Sequence, residues 1–260
     1  MGYKLGLKPV VEQPRLKLGD YLHPDLPTAP VKFGHAELIQ PAMFMNDRLS
    51  DCTIAGSIEE IRLLNAERKV LVPFSDRAAI ANYSALTGYI LGDQSTDRGA
   101  DIHDLYEYRK TIGIADDAGN RHKIVAYAGL TPGDWDEFVE ALYLFTTVGV
   151  GLQLPDYAQD QFNAGRPWQV LSGQHGIEGG HYVSACARDG NTVDVFTWGR
   201  RHTMEADFYR AFNSVAVVSF TEEMLIGDKT IDGFDRATLL ADLPAFNTSL
   251  GGRSAGEKAA

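Results

Sequence analysis

A change of period midway along the chain sets the limits on its fold. Ile54, Ile58, Ile61 and Leu64 recur at intervals of four, three and three, the stripe of a helix buried along one face. Ala55 and Gly56 lie between them, and Ser50 or Asp51 stands where an N-cap belongs. A second helix is expected over about 76–87 after Ser75, and a third over about 101–112 with Gly113 as its C-cap. After Gly119 the texture alternates, and residues 123–127, 148–154, 182–186, 192–197 and 214–218 read as strands. One helix interrupts them, carried by Trp135, Phe138, Val139, Leu142 and Phe145 after the turn Thr131-Pro132-Gly133. Helices first and strands later predict an α+β architecture with a cleft between two lobes.

The expected organisation has four parts. Residues 1–45 hold Pro9, Pro14, Pro24, Pro27, Pro30 and Pro41 with little apolar period, which reads as an extended strap laid over the body. Residues 46–118 form the helical lobe and 119–220 the β-rich lobe. Residues 221–260 are a C-terminal segment whose tail, with Gly251, Gly252, Ser254 and Gly256, is expected to be mobile.

Charge narrows the partners. Lys and Arg number 24 against 35 Asp and Glu, a formal net charge of −11, with the basic residues scattered rather than gathered. Nucleic acid and anionic membranes are therefore poor partners. No run reaches the ~18 apolar residues of a membrane span, and the opening MGYKLGLKPV lacks the apolar core of a signal peptide, so a cytoplasmic location is expected. Cys52 and Cys186 are the two cysteines, too few for a disulfide framework or a C-x-x-C metal site. Neither Asp93–Asp97 nor Asp116-Asp117 supplies the alternating oxygens of a calcium loop. No metal or cofactor is expected.

A single cysteine can still be a catalyst. A thiol attacks carbonyls as its thiolate, and a helix N-terminus favours that anion. Cys52 stands at such a position. A base must reach it, and His181 follows Gly179-Gly180, where two glycines let a backbone or substrate come close. His175 is the rival. Cys186, five residues beyond His181, falls on the opposite strand face and is expected to be structural. Tyr83, Tyr89, Tyr106, Tyr108, Trp135 and Trp168 read as core aromatics.

These residues carry a resemblance to the papain-like cysteine peptidases. Asn46-Asp-Arg-Leu-Ser-Asp-Cys52-Thr-Ile-Ala55 resembles the family's oxyanion amide, short loop and helix-opening cysteine, with asparagine for glutamine at the same offset of six. Gly180-His181-Tyr-Val-Ser-Ala and then Thr197-Trp198-Gly199 resemble the histidine strand and the later Asn-Ser-Trp-Gly turn. His181 follows Cys52 by about 130 residues, at the edge of the ~130–150 spacing of papain and the cathepsins. Gly99 to Ile114 is similar to the family's helix ending in a Gly-Ile step, and Pro167-Trp168 precedes the histidine loop. The resemblance covers about residues 40–220. More narrowly, it is to uncharacterised papain-like proteins of actinobacteria and their phages.

The resemblance implies a helical N-terminal lobe whose central helix opens at Cys52, packed on a β-rich C-terminal lobe. It implies a thiol hydrolase acting on a peptide or protein substrate without a cofactor. Cys52 would be the nucleophile, His181 the base, and Asn46 with the Cys52 N–H the oxyanion donors, while Trp198 shields the histidine. The chain departs from the pattern where Phe196 fills the slot of the asparagine that orients the histidine. Thr197 lies nearest the motif and Asp194 shares the Phe196 face, so both stand as orienters. Only 51 residues precede Cys52, fewer than a secretory signal and a long inhibitory propeptide require, so no zymogen control is expected. That departure leaves a second reading open: a weak or inactive papain-like fold serving as a binding or structural protein, such as a virion component. A transglutaminase-like or deamidating use of the same pair is a third.

Overall fold

The computed structural model describes residues 2–14, 17–20, 28–221 and 224. The tail expected to be mobile lies outside this set.

The chain enters with a short strand, β1 (Lys32–Gly34), before three helices: α1 (Cys52–Glu67), α2 (Asp76–Thr87) and α3 (Ile102–Thr111). Helices α2 and α3 begin on capping side chains, as Ser75 accepts the Ala78 N–H and Asp101 those of His103 and Asp104. The stripe on α1 is wider than the sequence implies. Thirteen of its sixteen residues are buried, among them Thr53, Ser57, Glu59, Glu60 and Asn65, so the helix runs through the middle of the molecule.

A small hairpin, β2 (Ile114–Ala115) and β3 (Arg121–His122), follows. Asn82 on α2 holds it, accepting the Ala115 N–H at 2.9 Å and donating to the Ala115 carbonyl at 2.9 Å. Beyond come β4 (Ile124–Gly129), α4 (Trp135–Phe145), β5 (Val148–Pro155), α5 (Ala158–Asn163), β6 (Ile177–Asp189), β7 (Thr192–Thr197), β8 (Arg200–Glu205), α6 (Ala206–Phe212) and β9 (Asn213–Thr221). Among the described residues the strands form one seven-stranded sheet, order β4-β9-β5-β6-β7-β8, with β1 paired to the far end of β6. Its pairings are antiparallel throughout.

Apolar residues cover both faces of this sheet, as alternation along β6 requires. Val183 and Ala185 face a core with Phe138, Leu142, Phe208 and Trp168. Tyr182 faces the other way, into a core with Ile54, Ile58, Leu105 and Tyr106 from α1 and α3. Cys186 lies in a third cluster with Leu63 and Phe196. None of the described helices is long and apolar enough to cross a membrane.

Two expectations need correcting. The histidine strand starts at Ile177, so His181 lies within β6 rather than at its head. Its first residues carry no apolar alternation, but β5 continues the ladder through Leu154↔Gly179 and Gln153↔Gly180 by backbone bonds alone. Strand β8 and helices α5 and α6 were not foreseen, being short and only partly apolar.

The lobes are tied by a polar cluster inside the second core. Arg109 of α3 donates to both carboxylate oxygens of Glu60 on α1 at 2.6 and 3.1 Å, with both side chains almost wholly buried. Tyr106 and Tyr182 hydroxyls meet beside it at 2.9 Å. Arg109→Ala leaves a buried carboxylate without its partner and is expected to cost about 3–5 kcal/mol, read as a lower urea midpoint. Replacing Glu60 and Arg109 together by Met is expected to cost clearly less than that single change.

Candidate active site

Asp51 ends the loop before α1 and occupies the N-cap position, yet its side chain caps nothing. Its Oδ1 instead accepts a hydrogen bond from Asn46 Nδ2 at 3.2 Å, and its Oδ2 is buried without a partner. Burial pushes this carboxyl well above the usual carboxylate range.

Cys52 is the first helical residue and is 1% exposed. Its Sγ accepts the backbone N–H of Tyr182 at 3.4 Å, which brings the head of α1 against β6 one residue from His181. Burial drives the thiol up to about 12, while the Tyr182, Gly6 and Thr53 backbone N–H groups favour the thiolate less strongly.

His181 is fully buried and pairs with Leu152 of β5. Its ring stacks on Trp198 at 4.4 Å and 21°. Nε2 lies 2.7 Å from Thr197 Oγ1, and Nδ1 is buried without a partner. Burial holds the imidazole down at about 3. Thr197 ends β7 and leads into the two-residue turn Trp198-Gly199, both at positive φ (43° and 70°). This backbone suits a tight hairpin, and in a tryptophan it costs strain. The indole offsets that strain by filling the space over His181.

The four residues expected at the site therefore gather, though incompletely. Asn46, Cys52 and Thr197 line one cavity of about 10 Å³ together with Phe196 and Trp198, scarcely room for one water. Cys52 and His181 do not hydrogen-bond to each other; the resting pair is a neutral thiol and a neutral imidazole. Of the two possible orienters, Thr197 touches His181. Asp194 accepts a hydrogen bond from Thr203 Oγ1 at 2.8 Å and faces Arg201 at 3.5 Å. His175 lies 3.3 Å from Asp156 on the surface. Among the described residues no group of three or more His, Cys, Asp or Glu could hold a metal ion.

Sequence reasoning missed two parts of the site. One is the Tyr182 N–H at the sulfur, a backbone group with no sequence signal. The other is the stretch from Tyr3 to Lys8, which passes between Ala100 and β6 beside the loop that leads into Cys52. The Leu7 N–H donates to the Gly180 carbonyl at 3.0 Å, and the Ala100 N–H donates to the Gly6 carbonyl at 2.8 Å. The glycine pair before His181 was the visible trace of this close approach.

A helix-opening cysteine packed on an antiparallel sheet whose inner strand carries a histidine is the arrangement of the papain-like cysteine proteases, and this chain has that bilobed fold. Xylellain, a cysteine protease from Xylella fastidiosa, superposes with a TM-score of 0.61 at 15% identity, over 85% of this chain and 97% of that one. Procathepsin B S9 from Trypanosoma congolense gives 0.54 at 12%, over 85% and 86%. Digestive procathepsin L2 from Tenebrio molitor larval midgut gives 0.58 at 14%, over 84% and 78%. At such identities the likeness shows the fold alone. No family model matches the sequence, and no curated protein matches it.

The depressed His181 has a consequence for stability. Its folded-state value near 3 lies below the ordinary 6.5, so the unfolded chain takes up the proton first as pH falls. The stability that goes with a neutral His181 is present above about 6.5 and is lost progressively as pH falls toward 3. His181→Gln lacks this linkage. The gap in denaturation midpoint between wild type and His181→Gln is expected to narrow between pH 7 and 4.

Proposed function

We propose that the chain is a papain-like thiol hydrolase that acts on a peptide or amide bond through Cys52 and His181. The observation that carries the reading is the buried arrangement at the head of α1. Cys52 Sγ rests on the N–H next to His181, while Thr197 holds the far ring nitrogen and leaves Nδ1 free.

If His181 Nε2–H donates to Thr197 Oγ1, the lone pair lies on Nδ1, the state a base requires. The Cys52 thiol proton passes to Nδ1 as sulfur bonds to the substrate carbonyl carbon. The carbonyl oxygen takes the charge, facing the Cys52 N–H and Asn46 Nδ2. The weak 3.4 Å bond from Asn46 to the Leu49 carbonyl is the one given up. His181 then protonates the leaving amine as the C–N bond breaks. Water, deprotonated by His181, cleaves the thioester and restores the thiol. Thr197 replaces a carboxamide as orienter, so it holds the ring by one hydroxyl contact and the π-stack of Trp198.

A second reading, the same fold kept as a binding or virion component, draws on the resting chemistry. A thiol held up to about 12 and an imidazole with no bond to it do not make a primed ion pair.

Two measurements test the hydrolase. Iodoacetamide labelling of Cys52 is followed between about pH 5 and 10, and His181→Ala is expected to lower the rate at neutral pH. A rate that follows simple thiol titration and ignores His181→Ala overturns the reading. On any peptide the protein cleaves, Asn46→Ala is expected to lower kcat by about 10²–10³ with little change in KM, and Cys52→Ala to abolish cleavage.

A further inference from the structure

We propose that Glu59 and Arg62 of α1 are positioning residues that hold the turn carrying Asn46, and so fix where the oxyanion donor stands relative to the Cys52 thiol. The proposal rests on reading Asn46 as that donor. It deepens the reading by naming what places the amide.

The turn needs holding. Phe44 and Met45, the two residues before Asn46, are both at positive φ, 48° and 67°, a left-handed backbone that costs strain in residues other than glycine. The turn closes on its own main chain: the Asn46 N–H donates to the Met43 carbonyl at 3.0 Å, and the Arg48 and Leu49 N–H groups both donate to the Met45 carbonyl at 2.8 Å. Those bonds shape the turn without fastening it to the rest of the molecule. The Asn46 side chain adds only long contacts, 3.2 Å to Asp51 Oδ1 and 3.4 Å to the Leu49 carbonyl.

The fastening comes from α1. Glu59 Oε1 accepts the Ala42 N–H at 2.6 Å, and its Oε2 accepts from Arg62 at 2.7 Å. The other terminal nitrogen of Arg62 donates to the Gln40 carbonyl at 2.9 Å, and the guanidinium lies over the Phe44 ring at 5.6 Å. Two side chains one helical turn apart thus hold the approach to Asn46 at Gln40, Ala42 and Phe44. Both are packed in place, with side-chain exposures of 4% for Glu59 and 18% for Arg62. Glu59 also lines the small cavity that Cys52 and Asn46 share. It stands two turns along the helix from the cysteine, about 10 Å at ~1.5 Å per residue. One rigid element therefore sets both the nucleophile and the amide that must face it.

Both Glu59 oxygens act as acceptors, which makes the clamp sensitive to protonation: a proton on either one sets a donor against the Ala42 N–H or the Arg62 guanidinium. Burial raises this carboxyl to about 7, against the opposing pull of Arg62 and the Ala42 N–H. The amide is therefore held above about pH 7 and loosened below it. Besides Arg62, the titratable groups around Glu59 are Cys52 on its own helix and Tyr182 and Cys186 on β6, all three raised by burial, with Glu37 on the Ala36–Leu38 turn packed against α1. Asp51 bonds to Asn46 itself, so the test must separate it from Glu59.

The test follows the Asn46 side-chain amide of the full chain by nitrogen–proton correlation NMR, the signal being assigned by its absence from Asn46→Ala. In the wild type it is expected to shift with pH about a midpoint near 7. In Glu59→Gln, which cannot ionise, that shift is expected to vanish; in Arg62→Ala, which removes the cation that lowers Glu59, the midpoint is expected to rise. A wild-type signal that does not move with pH overturns the proposal. So does one that moves alike in Glu59→Gln, which would assign the titration to Asp51. Should Glu59→Gln fail to fold, Arg62→Ala decides: a raised midpoint supports the clamp and an unchanged one overturns it. On any peptide the protein cleaves, Glu59→Gln is expected to lower kcat roughly tenfold, short of the ~10²–10³ of losing the donor outright, with little change in KM. Iodoacetamide labelling of Cys52, which forms no oxyanion, is expected to keep the wild-type rate in that variant, and an unchanged kcat overturns the proposal. If no peptide is cut, the hydrolase reading falls and the Asn46 titration still decides whether Glu59 places the amide.

Discussion

Helix α1 meets strand β6 across a gap that a glycine makes possible. A Cβ on Gly56 would lie 2.8 Å from the Tyr182 ring, so the missing side chain sets how closely helix and sheet approach. That approach puts Cys52 Sγ on the Tyr182 N–H, lets the Tyr182 hydroxyl reach Tyr106, and seats Glu60 against Arg109. Everything at the site depends on this contact. The helix supplies the thiol, the strand supplies the imidazole on its other face, and the Trp198 turn closes over that imidazole from β7.

Burial then sets the chemistry. In water a cysteine beside a histidine can exchange a proton cheaply, but here removal from solvent moves both groups toward neutrality, the thiol up and the imidazole down. Burial raises the Asp51 carboxyl in the same way, and its charge adds to what holds the Cys52 thiol up. The resting site is thus electrically quiet.

The elements with a strong period were legible in the sequence: the α1 stripe, the Trp135–Phe145 helix, the Ser75 and Asp101 caps, and the alternating runs of β5, β7 and β9. The order of those elements gave an α+β fold, and the resemblance of the motifs around Asn46, Cys52, His181 and Trp198 implied the papain-like architecture. What escaped was written in backbone. The first turn of β6 pairs through glycines, so nothing in its side chains marks it as strand. The extended N-terminal segment was foreseen, but not its course beside the loop before Cys52, because it is bonded there through main-chain groups. Thr197 and Asp194 could not be separated by alternation, because the β6–β7 register shifts between Ala185 and Ala187 and the Trp198-Gly199 turn re-aims the end of β7.

Trp198 links these levels, with its φ of 43° and its indole between Tyr3 and His181. Trp135, at the head of α4, packs tilted against Phe138 and edge-on to Tyr209, and Trp168 is sealed in the sheet core. An indole sandwiched between a phenol and an imidazole takes its surroundings from two different parts of the chain. The same ring therefore ties the start of the chain to the histidine on β6, so neither can shift without disturbing the other's neighbour.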